Sequence, residues 1–98
     1  MTSSQAAAVI AALQNRNSHP RLTTPAPDDA ELEGIFTAGL RAPDHGRLRP
    51  WQFLVVEGDA RERLGTIFEQ ALVLANPEAS DAERTRARSA PLRAPLII

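Results

Sequence analysis

Trp51 to Glu57, WQFLVVE, is the clearest extended segment in a chain whose other patterns are mostly helical. Its aromatic and β-branched residues suit a pleated strand, and Gly58 closes it. A second apolar run, Pro95-Leu96-Ile97-Ile98, opens a further, buried strand. Strands are not stable singly, so the chain must contribute to a sheet. The resulting order is helix, helix, strand, helix, helix, strand. It predicts an α+β protein.

The helices are marked by their caps. Ser3 or Ser4 is expected to cap a first helix running to Asn15, with Val9, Ile10 and Leu13 on one face. A proline-bearing stretch to Pro27 follows, in which the residues before Pro20, Pro25 and Pro27 are pushed toward extended backbone. Asp28 begins the second helix, with Glu31 at capping-box spacing and Leu32, Ile35, Phe36 and Leu40 on one face. Pro43 ends it. Gly34 and Gly39 each weaken this helix by up to about 1 kcal/mol relative to alanine, which a close backbone approach would explain. Asp59 and Glu62 open the third helix. Its expected buried face is Leu64, Ile67, Phe68, Ala71, Leu72 and Ala75, and Asn76-Pro77 stops it. Ser80 and Glu83 repeat the capping pattern for a fourth helix to Ser89, on which Arg84, Arg86 and Arg88 are expected to face different sides.

Composition narrows the function classes. The 98 residues contain no cysteine, which excludes disulfides, zinc ribbons, iron–sulfur clusters and a thiol nucleophile. The net charge of −1 argues against a nucleic-acid-binding domain. No apolar run reaches the length of a membrane span, and the N-terminus lacks the basic flank of a signal peptide. A cytoplasmic protein is expected. All eleven basic residues are arginine, so an anion site must use arginine, histidine or backbone N–H groups.

Two segments can carry chemistry. Arg16-Asn17-Ser18 follows the first helix; an arginine there complements the helix dipole and the serine holds a turn. The functional alternative is an anion or cofactor clamp, with the guanidinium fork and the hydroxyl as donors. The loop from Arg41 to Trp51 gathers Arg41, His45, Arg47 and Arg49 between a helix end and a strand, where binding residues concentrate. Its bland reading is a solvated basic loop in which Asp44 pairs with a neighbouring arginine. Ser18, His45 and Asp44 lack the arrangement of a nucleophilic triad. His19 and His45 lack metal-ligand spacing, so no metal is expected. GDARERLG lacks the glycine spacing of a phosphate loop. No residue stands out as a general acid, and no catalytic side chain is assigned.

The segments NRNSHPRLTTPAP, ELEGIFTAGLRAPDHGRLRPWQFLVVEG with RERL, and SAPLRAPLII together resemble the nitroreductase family of flavin-dependent enzymes. They are closest in pattern to its small bacterial NAD(P)H nitroreductases. RAPDH followed by Pro50-Trp51 is the most specific element. The resemblance implies a mostly antiparallel sheet flanked by helices, and a homodimer with FMN at its interface. It implies ping-pong transfer from NAD(P)H to a nitroaromatic or quinone-like small-molecule acceptor. Arg16, Asn17 and Ser18 then stand where the family contacts FMN, while Arg41 and His45 match residues that reach the FMN held mainly by the partner. Trp51 and Phe53 match the supporting strand, with core packing as their role. Asn17 replaces a second arginine, and Arg49 stands where glutamine is usual. Family members are considerably longer, so residues 1–98 are expected to be the N-terminal part of one nitroreductase-like domain, cut in a strand at Ile98 and inactive alone. A non-catalytic flavin-binding protein, or an interaction fragment on the same fold, is the alternative.

Overall fold

The structure, a computed structural model, describes residues 1–44, 46, 48–49 and 51–98. Its elements are α1 (Ser3–Asn15), α2 (Asp29–Gly39), β1 (Val56–Glu57), α3 (Asp59–Ala75), α4 (Asp81–Ser89), a short 3-10 helix (Ala90–Arg93) and β2 (Leu96–Ile97). β1 and β2 pair antiparallel, Val56 opposite Ile97 and Glu57 opposite Leu96. The observed order is the α+β order expected from the sequence.

Local chemistry sets the helix starts. α1 is capped by Thr2, not by Ser3 or Ser4. The Thr2 hydroxyl accepts from the Gln5 N–H at 3.1 Å, while the Thr2 N–H donates to Gln5 Oε1 at 2.6 Å. Only Thr2 has glutamine three residues on, so the reciprocal box selects it. Asp28 and Glu31 close the same box on α2, as do Ser80 and Glu83 on α4. α3 starts after Gly58, whose φ of 56° suits a residue without a side chain. α2 ends at Gly39, before Pro43, in a turn through Leu40 and Arg41.

The strand at Trp51–Glu57 is shorter than its composition suggests. Only Val56 and Glu57 are paired, because β2 offers two residues of backbone and no other strand lies alongside among the described residues. A strand needs a partner for every ladder bond, and propensity supplies none. Phe53 instead stacks on Phe36 with ring centroids 4.9 Å apart, joining this segment to α2. Gly39 accounts for part of that fit: a Cβ there would lie 2.9 Å from the Phe53 ring. Gly34 has open space around it.

Packing centres on α3 against α4 and the 3-10 helix. Gly65 is buried at the crossing, and a Cβ on it would fall 2.0 Å from the Arg88 carbonyl oxygen. Arg61 donates to the carbonyls of Ala94 at 2.7 Å and Gly58 at 3.3 Å, fastening the start of α3 to the approach of β2. Glu69 receives Arg84 at 3.1 Å and Arg88 at 2.8 Å. These two arginines share a face of α4, contrary to the expectation that all three face apart, since residues four apart lie nearly one above the other.

The expected apolar face of α3 is only partly covered, with Leu64 and Leu72 half-buried. Ile67 is 57% exposed and Phe68 42%, and Ala71 and Ala75 are also exposed. α4 meets α3 at Gly65 and Glu69, roughly a quarter turn away around the helix. Val9, Ile10 and Leu13 on α1 are likewise open, and Leu96 and Ile97 are only half-buried. Among the described residues no large apolar side chain is fully buried. The radius of gyration, 17.9 Å, exceeds the ~13 Å of a compact domain this long. The accessible surface is 8294 Å², against about 5,500 Å² from the scaling for compact monomers.

The Glu69 clamp makes the α3–α4 contact sensitive to acid. The hydrogen bond from Arg88 holds the Glu69 carboxyl below its ordinary pKa; partial desolvation opposes this, and Arg84 with both guanidinium charges reinforces it. A depressed folded-state pKa contributes stability that is complete above the unfolded glutamate pKa and is lost as pH falls through the folded one. Urea midpoints of the wild type and Glu69→Gln are expected to differ at neutral pH and to converge on acidification below the usual glutamate range. A difference that persists unchanged in acid would remove the clamp from the pH dependence.

Candidate functional site

The first expected group lies where α1 ends. Arg16 leaves the helix with extended backbone, φ −65° and ψ 144°, which turns the following residues away from the helix axis. Its Nη1 donates to the Ser18 hydroxyl at 3.1 Å. The Asn17 side-chain amide turns back to donate to the Asn15 carbonyl at 3.2 Å, satisfying a carbonyl at the helix end. Arg16 and Ser18 therefore form one donor group, and Asn17 fixes the turn that presents it. All three are exposed.

The second group begins in the turn after α2. The Arg41 N–H donates to the Ala38 carbonyl at 3.1 Å, which places its side chain at the helix end in solvent. The helix that precedes it is joined to the segment after the loop by the Phe36–Phe53 stack and the close approach of Phe53 to Gly39. The loop then closes on Asp44, whose carboxylate accepts from the Arg49 backbone N–H. Among the described residues Asp44 forms no ion pair with an arginine side chain, and Arg47 lies outside them. Gly46 and Arg49 have positive φ, 69° and 48°. His45 lies outside the described residues. Trp51 is half-buried and Phe53 is 39% exposed, so neither is enclosed in a core.

Among the described residues the ion pairs are those of Glu69, and neither Arg16 nor Arg41 takes part in one. Both guanidinium groups therefore keep their charge and most of their donors for an anion. No hydrogen bond or ion pair among the described residues joins the Arg16–Ser18 group to the Arg41 turn. Among those residues, too, no helix is long and apolar enough to cross a membrane.

Three residues that shape this architecture carry only faint sequence signals. Gly65 was legible as a mid-helix glycine, but not as the α4 crossing. Arg61 and Glu69 read as ordinary surface charges on α3, and only the placement of Ala94, Arg84 and Arg88 gives them a role.

Comparison with known proteins places these features in context. Residues 13–98 match the nitroreductase family. The chain is 48% identical over 86 residues to an Escherichia coli K12 protein provisionally named NAD(P)H nitroreductase YdjA, with the alignment covering 88% of this chain and 46% of the relative. The corresponding protein of Escherichia coli O157:H7 matches equally. A Haemophilus influenzae protein, provisionally named NAD(P)H nitroreductase, is 38% identical over the same share of each chain. The chain spans about half the length of these relatives.

Proposed function

The chain belongs to the nitroreductase family, and from that premise we propose that it supplies the N-terminal part of an FMN-dependent NAD(P)H oxidoreductase. The observation that carries this reading is the 48% identity across residues that include both candidate donor groups. The donor chemistry fits the cofactor. Arg16 with Ser18 offers a cation and a hydroxyl to a phosphate or to ring oxygens, and Arg41 offers a second unpaired guanidinium. FMN, when bound, supplies the two-electron chemistry between NAD(P)H and a nitroaromatic or quinone-like acceptor, in a ping-pong sequence.

The task of this chain is then positioning and charge. Arg16 and Arg41 would hold the anionic cofactor and offset its negative charge, Ser18 orients Arg16, and Asn17 holds the turn. His45 belongs to the same group by its place in the RAPDH motif. The exposed faces of α1, α2 and α3 support an assembly in which further chain and a second copy complete the sheet and core, with FMN at the dimer interface. A cytoplasmic homodimer is the proposed form.

The test is a visible spectrum of the purified full-length enzyme to which this chain contributes, followed by NAD(P)H consumption with a nitroaromatic acceptor. Flavin absorbance together with acceptor-dependent turnover is expected. Protein that neither carries nor takes up FMN overturns the reading, and FMN binding without turnover reduces it to a flavin carrier.

A further inference from the structure

We propose that the groove between α4, the 3-10 helix and the segment before Leu22 is a binding site for phosphorylated small molecules, separate from the Arg16–Ser18 group. The groove has a volume of about 710 Å³ and is lined by Arg21, Arg86 and Arg93, with Leu72 and Leu92 among its apolar residues and Glu83 as its one acid. That volume falls within the ~300–1,000 Å³ of small-molecule sites.

Two stretches of chain bring the arginines together, α4 continuing directly into the 3-10 helix. Arg86 comes from α4 and Arg93 from the 3-10 helix. Arg21 is carried in by a backbone bond in which the Leu22 N–H donates to the Arg93 carbonyl at 2.7 Å. Among the described residues none of the three takes part in an ion pair. Arg93 spends one donor, Nε, on the Ala90 carbonyl at 3.2 Å, which holds the guanidinium at the rim. The opposing acid is partly committed. Glu83 Oε1 accepts from the Ser80 hydroxyl at 3.0 Å and from its N–H at 3.4 Å, as part of the α4 cap.

The cationic character is local. The chain as a whole carries −1, so three arginines around one groove do not follow from a basic composition. Guanidinium forks suit the tetrahedral oxygens of a phosphate, and the apolar lining suits the organic body to which it is attached. Like charges held without partners repel one another, and a phosphate dianion relieves that repulsion.

Titration of the full chain with inorganic pyrophosphate, followed by calorimetry and by the arginine Nε–H resonances, tests the assignment. Arg86→Gln and Arg21→Gln are each expected to weaken binding by roughly three- to tenfold, below the full value of a buried charge-assisted bond because the site is open. Arg63→Gln, on the exposed side of α3, is expected to leave it unchanged. Circular dichroism checks that each variant keeps its helices; Arg86→Lys, which keeps the charge, is expected to recover part of the loss. Equal losses in Arg63→Gln and Arg86→Gln would show diffuse attraction and overturn the proposal. So would loss in Arg16→Gln with full binding in Arg86→Gln, which would assign the anion to the proposed FMN group instead. Absence of pyrophosphate binding also overturns it.

Discussion

Gly65→Ala is expected to destabilise the protein by about 2 kcal/mol, within the range for overpacking a close contact. On propensity alone the change should help, because alanine favours a helix interior by up to about 1 kcal/mol over glycine. The contact decides the sign. The added Cβ would sit 2.0 Å from the Arg88 carbonyl oxygen, and a backbone atom cannot escape by changing rotamer. α4 would have to lift from α3, loosening the bonds from Arg84 and Arg88 to Glu69. Gly34→Ala supplies the contrast: nothing lies within 4 Å of the new Cβ, so the propensity term stands alone and the variant is expected to gain stability. Urea denaturation followed by circular dichroism measures both. A Gly65→Ala protein as stable as Gly34→Ala would mean that α4 does not cross α3 at this residue.

The second large effect concerns the cofactor. Arg16→Gln is expected to weaken FMN binding by about 10- to 100-fold, the value of a charge-assisted hydrogen bond of roughly 1.5–3 kcal/mol. Arg41→Gln should fall in the same range if both guanidinium groups serve one flavin. Ser18→Ala removes the partner that orients Arg16, not the charge itself, and should cost less. Arg16→Lys keeps a charge but loses the planar fork, so it is expected to recover only part of the affinity. Fluorescence titration of flavin-free protein with FMN reads all four. Unchanged affinity in both glutamine variants would remove these arginines from the cofactor site.

The parts of the fold that sequence reasoning reaches are those set by neighbouring residues. The boxes at Asp28–Glu31 and Ser80–Glu83 close over three residues, and they are found as expected. The box at Thr2 is of the same kind, closed by Gln5 three residues on. Quantities set by distant chain were harder to read. The length of β1 depends on how much of β2 lies beside it, which no property of WQFLVVE encodes. The packed face of α3 is chosen by α4 through Gly65 and Glu69, while Ile67, Phe68, Ala71 and Ala75 of the apolar stripe stay exposed. Periodicity found the apolar stripe correctly but could not say what meets it. At the candidate site, the motif located Arg16, Ser18 and Arg41 in the chain. The Arg16–Ser18 bond and the Asp44 closure of the loop needed coordinates.

The backbone bond from Leu22 to Arg93 has a consequence for the order of events during synthesis. Translation delivers the Arg16–Ser18 segment early, but the backbone bond that anchors Leu22 just after it needs the carbonyl of Arg93. Helices α1 and α2 can form as they emerge, because their hydrogen bonds are local. The segment between them cannot close until residue 93 is available, and such non-local closures are intrinsically late. Slowing elongation between codons 22 and 93 would therefore prolong the exposure of the N-terminal donor group to proteases and chaperones.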